Sequence, residues 1–394
     1  MSSLLIVPAL VVLLTMLWPI PAPARHAEVP GPQPGASRQV LGYYVPYDPA
    51  SWTSLQENAT AIDIVGAQWV TIDPCGNLSS RDDQTLKQFA RANRIRVFPS
   101  LLTSSGWLNH QLLTDQAVAA RALQQIVDYV MAEGYDGFDL DLEAIDAPDR
   151  QAYTAFVAAL GSALHARGKA LALAVPAKSR ESTTDWAGAY DYAALGSHAD
   201  LITTMAYDYR GPWSEPGPVA PYDWVEQVLA FATSQTRADK ILLGLAFYGY
   251  DWNVTSGTAR SLSYSEAARL AQRYQISLGL DPGTRSVNFR YQAAAADALP
   301  EPEEGPPLQH EMTVREAPPC RIAEPAATPT RTPRPTPRPN AIQEHQVWLE
   351  ESASAAARLE LANRYQAGGV AAWRLGFEDP RMWTVLRQWR SGGS

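Results

Sequence analysis

The stretch YDGFDLDLEA (residues 135–144) sets four acids, Asp136, Asp139, Asp141 and Glu143, in an otherwise apolar run. On a strand, side chains alternate between faces, so Asp139, Asp141 and Glu143 share one side with about 7 Å between successive members. Phe138, Leu140 and Leu142 take the other side, and Asp136 falls out of register with the three acids, as expected of a structural hydrogen-bond acceptor; Gly137 opens the strand beside it. A strand with one face wholly apolar and the other acidic suits a closed parallel barrel. There one face meets the surrounding helices, the other meets the axis, and the C-terminal strand ends open onto the mouth that carries the active site. Read this way, the acids climb toward the mouth and Glu143 stands nearest to it.

Other readings fit less well. A solvated charged stripe would not alternate with large apolar residues. An EF-hand needs Gly at its sixth position and Glu at its twelfth, and counting from Asp139 these are Ala144 and Arg150. Zinc would call for His or Cys, and none is near. No metal and no cofactor is expected. Inward charges this dense are costly unless chemistry or glycan binding retains them.

Outward from this strand, apolar runs alternate with helical periodicity, the signature of parallel α/β units. Eight strands are expected: VLGYYV (40–45), IDIVGAQWVTI (62–72), IRVFPSLL (95–102), GFDLDLE (137–143), ALALAVP (170–176), DLITTMAYD (200–208), ILLGLAFYG (241–249) and GVAAWRLG (369–376). Between them, Val118, Ala122, Ile126, Val127 and Val130 share a helix face closed by Gly134, and Tyr153, Phe156, Val157, Leu160 and Leu164 share another closed by Gly168. Eight such units give a (β/α)8 barrel over residues 39–394. The gap between the seventh and eighth strands is too long for an ordinary connection. It is expected to hold a small α+β insertion (251–348), including a disordered Pro-rich segment at about 296–340 around PAATPTRTPRPTPRPN.

The chain has 394 residues and a net charge of −9, which argues against nucleic acid as a partner because a phosphate-binding face needs clustered Lys and Arg. The N-terminus carries a short apolar run and then Ala22-Pro23-Ala24, read as a signal peptide (1–24) for secretion to the exterior or cell surface, followed by a Pro-rich linker (25–38). An uncleaved anchor is the alternative, since no Lys or Arg precedes the apolar run. Cys75 and Cys320 could form one disulfide or remain two thiols. Asn58, Asn77 and Asn253 lie in glycosylation sequons.

DGFDLDLE matches the D-x-x-D-x-D-x-E signature of glycoside hydrolase family 18, and LGYYVPY, TMAYD (204–208), GLAFYGYDW (244–252), VWLEE (347–351) and GGVAAWRLG (368–376) follow in the family's order. The sequence resembles that family, and within it most closely the branch containing bacterial spore-cortex-lytic N-acetylglucosaminidases. VFPSLLTSSG departs from the S-x-G-G common in the family's chitinases, and there is no LysM-like repeat.

The resemblance implies a retaining hydrolase of β-linked N-acetylglucosamine polysaccharides, peptidoglycan or chitin, in which the substrate's 2-acetamido oxygen attacks and an oxazolinium ion forms. It assigns Glu143 as general acid, Asp141 as partner of the acetamido group and Asp139 as sharer of a proton with Asp141. Tyr207 would donate to the acetamido oxygen, Asp208 would bind a sugar hydroxyl and Trp373 would floor the sugar. Tyr43 and Tyr248 are further candidates for sugar contact, with Tyr44 and Trp252 weighed beside them. A monomer without protein partners is expected. A non-catalytic glycan-binding barrel is the alternative, and the presence of Glu143 favours the enzyme.

Overall fold

The computed structural model describes residues 38–297, 308–323, 325 and 340–392. The expected signal peptide, nearly all of the linker and most of the Pro/Thr/Arg run lie outside these residues. Eight parallel strands close a barrel: β1 (Gln39–Tyr44), β2 (Ile64–Ile72), β3 (Arg96–Thr103), β4 (Gly137–Leu142), β5 (Ala170–Pro176), β6 (Leu201–Met205), β7 (Ile241–Ala246) and β8 (Gly369–Trp373). Each pairs with the next, and β8 returns to β1 through Gln39↔Gly369 to Gly42↔Ala372. All eight expected strands are present.

Local sequence accounts for the connecting helices. Gln116–Glu133 starts where the Asp115 carboxylate accepts from the N–H groups of Ala117 and Val118, and stops at Gly134 in the left-handed region (φ +71°). Its apolar stripe, Val118, Ala122, Ile126, Val127 and Val130, is buried against the outer faces of the strands together with Phe138, Leu140 and Leu142. Each fully buried Val, Ile, Leu or Phe among them contributes about 1.5–3 kcal/mol. Inside the barrel, Leu41, Tyr43, Ile64, Phe98, Ala172, Leu201, Leu242 and Ala371 fill the floor. Gly137 belongs to this inner face: a Cβ there would lie 2.7 Å from the Ala170 carbonyl and 2.8 Å from the Phe98 ring. The acid ladder therefore rests on a packed floor.

Between β7 and β8 the chain forms a five-stranded antiparallel sheet in the order Thr258–Ser263, Tyr248–Asn253, Ile342–Leu349, Val287–Ala294, Gly279–Leu280. Helix Tyr264–Arg273 covers it, entered through a capping box of Ser263 and Glu266. Its apolar layer includes Leu262, Leu270, Val287, Phe289, Val347 and Leu349.

Part of the expected disordered segment is ordered. Residues Met312–Arg315 pair antiparallel with Leu78–Asp83, a strand that folds back from β2. Farther along, Cys320 is disulfide-bonded to Cys75 at a Cα–Cα distance of 5.7 Å. His310 Nδ1 lies 2.6 Å from the Asp83 carboxylate, which also accepts from Tyr44 Oη. The reason is local: four residues, M-T-V-R, with free backbone donors suffice to extend a sheet edge even when prolines dominate the composition on either side. Asn58 and Asn77 of the three sequons are buried and hydrogen-bonded inside the fold.

Candidate active site

The ladder stands as the period-2 reading predicts. Asp139 is completely buried and Asp141 is 4% exposed, whereas Glu143, just past the end of β4, is half-buried at the cleft. Asp139 accepts from Ser100 Oγ at 2.6 Å, across the β3–β4 register. Its other oxygen, one oxygen of Asp141 and the Tyr43 hydroxyl are buried without a hydrogen-bond partner among the described residues. Asp136 lies apart from these, its carboxylate accepting from Val97 N–H at 3.0 Å, a purely structural tie between β3 and β4.

Glu143 is aimed by its backbone. Its N–H donates to Thr103 O at 2.8 Å, continuing the β3–β4 ladder, and its carbonyl accepts from Asn109 Nδ2 on helix Gly106–Thr114. Ala144 then turns the chain away in the left-handed region (φ +54°). The side chain is thus presented at the rim by a strand extension and a buried amide.

Burial shapes the electrostatics. It pushes the Asp139 carboxyl up to about 7. Asp141 is raised well above the usual carboxylate range by burial and then by the charges of Glu143 and Asp139. Glu143 is raised by burial and by Asp208. Among the described residues no cation is a cause that lowers these acids, so all three are shifted toward their protonated forms.

Asp208 follows β6 in the left-handed region (φ +59°), and one of its oxygens accepts from Tyr248 Oη at 2.5 Å and Tyr250 Oη at 2.9 Å. Burial raises its carboxyl, with the two hydroxyls opposing. Tyr207 projects toward the ladder, its ring 6.1 Å from that of Tyr248; a Cβ on Gly244 would come within 2.9 Å of it. Trp373, at the end of β8, meets the Tyr43 ring edge-on at 5.4 Å.

These residues border a cleft of about 880 Å³ lined by Tyr43, Asp141, Glu143, Tyr207, Asp208 and Trp373. Tyr248 is a correction: expected at the sugar, it is buried behind Asp208 and does not line the cleft. Tyr44 points out of the barrel to Asp83, as alternation with Tyr43 requires, and Trp252 packs under the insertion sheet, donating to Ser214 O at 3.3 Å. The lining also contains residues the sequence reading missed: Arg180, Asp185 and Trp186 on the loop after β5, and Tyr209, Trp213 and Trp224 after β6. Trp186 and Trp213 are 69% and 70% exposed. The available signal was an indole within a polar loop directly after a barrel strand.

The family description "Glycosyl hydrolases family 18" matches residues 39–378, and the chain belongs to this family. It is a glycoside hydrolase. It is 23% identical over 354 residues to the uncharacterized glycosylase YvbX of Bacillus subtilis (strain 168), covering 88% of this chain and 90% of that protein. It is 26% identical over 284 residues to the cortical fragment-lytic enzyme of the same organism, covering 71% of this chain and 55% of the relative. Among solved structures, the chitinase from Chromobacterium violaceum ATCC 12472 superposes with a TM-score of 0.73 at 27% identity, covering 89% of this chain and 98% of that one.

Proposed function

We propose that the protein hydrolyses β-linked N-acetylglucosamine glycans, peptidoglycan or chitin-type, with retention and by substrate assistance. The observation that carries this is the ladder itself: three inward acids rising from a sealed floor to the cleft, with the deeper two desolvated and raised. A nucleophilic carboxylate must be ionised and must reach the anomeric carbon. Asp141 is held toward its protonated form and is nearly buried, so it suits hydrogen bonding to an amide better than attack.

Glu143, raised but accessible, gives its proton to the glycosidic oxygen as the bond from that oxygen to C1 breaks. The substrate's 2-acetamido oxygen bonds to C1, forming an oxazolinium ion. Asp141 accepts from the acetamido N–H through its unprotonated oxygen, Tyr207 donates to the acetamido oxygen, and Asp139 shares a single proton with Asp141. Glu143, now a carboxylate, removes a proton from water as that water attacks C1 and opens the ring. Trp373 supplies the apolar floor for the sugar's C–H face, and Asp208 engages a hydroxyl. The Cys75–Cys320 disulfide supports export to an oxidising compartment.

The test is inhibition by a thiazoline mimic of the oxazolinium ion, alongside turnover of N-acetylated and de-N-acetylated oligosaccharides. Competitive inhibition with slow turnover of the de-N-acetylated substrate is expected. Equal rates on both substrates would remove substrate assistance. Binding without hydrolysis of any glycan would leave a lectin.

A further inference from the structure

The loop between β5 and helix Tyr192–Gly196 carries three charged side chains to the cleft, Lys178, Arg180 and Asp185. Two are committed to holding the loop. Lys178 Nζ, almost fully buried, donates to Tyr190 O at 3.0 Å and to Glu181 Oε1 at 3.1 Å, while the Asp185 carboxylate accepts from Ala187 N–H at 3.1 Å. Arg150 pins the same loop from the neighbouring helix, donating to Glu181 at 3.0 Å and to Gly188 O at 2.8 Å. Glu181, the acid beside Arg180 in sequence, is therefore already bound to two other cations. Arg180 is exposed and, among the described residues, makes no hydrogen bond or ion pair.

The rest of the lining has no need of this charge. Its remaining ionisable acids, Asp141, Glu143 and Asp208, belong to the ladder and to the tyrosine pair. Six residues along the same loop, Trp186 offers an open indole face, the surface a pyranose covers with its C–H groups. A guanidinium fork lining the same cleft as a sugar platform matches one chemistry well: a carboxylate hung from the sugar chain, gripped through two parallel N–H donors.

We propose that Arg180 is a specificity determinant that binds a carboxylate carried by the glycan, so that the cleft favours an anionic, lactyl-bearing polymer of the peptidoglycan kind over neutral chitin. This rests on the hydrolase reading above and selects between its two substrates. The carboxylate can come from the lactyl ether of a muramic-type sugar or from a peptide attached to it.

The experiment measures kcat/KM of the full chain and of its Arg180→Ala and Arg180→Lys variants on three tetrasaccharides. The first is chitotetraose, the second a peptide-free alternating N-acetylglucosamine/N-acetylmuramic acid chain, and the third the same chain with stem peptides amide-linked to its lactyl groups. The ratio of anionic to neutral kcat/KM is expected to fall about tenfold in Arg180→Ala, the weight of one charge-assisted contact in a partly desolvated cleft, and less in Arg180→Lys. A fall confined to the peptide-free chain assigns the lactyl carboxylate; a fall confined to the peptide-bearing chain assigns the peptide's. Unchanged ratios on both anionic substrates, with the wild-type protein active, overturn the role of Arg180 and leave the hydrolase reading intact. A wild-type protein that cleaves none of the three overturns the hydrolase reading and this inference with it.

Discussion

Two buried aspartates on inward-facing strand positions, Asp139 in the barrel and Asp251 in the insertion sheet, have opposite surroundings. Asp251 is fully engaged: one oxygen lies 3.0 Å from His345 Nδ1 and the other accepts from Tyr291 Oη at 2.7 Å. Asp139 has one partner, Ser100, and its second oxygen has none among the described residues. The insertion sheet spends its acid on holding three strands together. The barrel leaves one oxygen of Asp139 and one of Asp141 unpaired among the described residues, at a cost in stability, which is the environment the proposed acid ladder requires.

The contrast breaks most easily at the top of the ladder. Glu143→Gln keeps the shape and removes the transferable proton, so hydrolysis should fall at least roughly a hundredfold while the unfolding midpoint stays near that of the wild type. An active Gln variant, measured by reducing ends released, would remove Glu143 as the acid.

The floor of the ladder gives the next effect, in stability. Asp139 titrates near 7 in the fold against an ordinary value of 3.8. The folded state therefore holds a proton that the unfolded chain has released. Its contribution is complete below about pH 4 and is lost as pH rises through about 7, a change on the order of 4 kcal/mol. Asp139→Asn should flatten this part of the stability profile and gain relative to wild type above pH 7. Denaturant unfolding at pH 4, 6 and 8 reads it directly, and parallel profiles for the two proteins would show that Asp139 is not desolvated as described.

In the insertion sheet, Asp251→Asn should lower stability by about 1–3 kcal/mol, since it weakens two buried hydrogen bonds, and should leave the rate per folded molecule as it was. A selective loss of rate in this variant would blur the distinction between the two aspartates.

What the sequence disclosed follows the same division. The ladder was legible because a strand's period of two sorts Asp139, Asp141 and Glu143 from Phe138, Leu140 and Leu142. The loop wall of the cleft was not, because Arg180, Trp186 and Trp213 sit on segments with no period to say where a side chain points. Tyr248 was misplaced for a related reason: alternation resumes in the insertion strand Tyr248–Asn253, and it turns that hydroxyl to Asp208 rather than to the cleft. Met312–Arg315 was hidden by the prolines around it, and the pairing of Cys75 with Cys320 could not be read from a spacing of 245 residues.

The smallest effect is the most discriminating. Tyr250 donates to the same Asp208 oxygen as Tyr248, stabilising the carboxylate form, and the charge on Asp208 in turn raises Glu143. In Tyr250→Phe the Asp208 anion loses a donor, so its carboxyl titrates higher and carries less charge at a given pH. Its repulsion of the Glu143 carboxylate weakens, and Glu143 releases its proton more readily. The alkaline limb of kcat/KM should then move to lower pH, by less than about one unit, because only one of two hydrogen bonds is gone. A limb that moves upward, or stays in place while overall rate drops, would mean that Tyr250 supports the cleft only by packing and that Asp208 does not communicate with the acid through its charge.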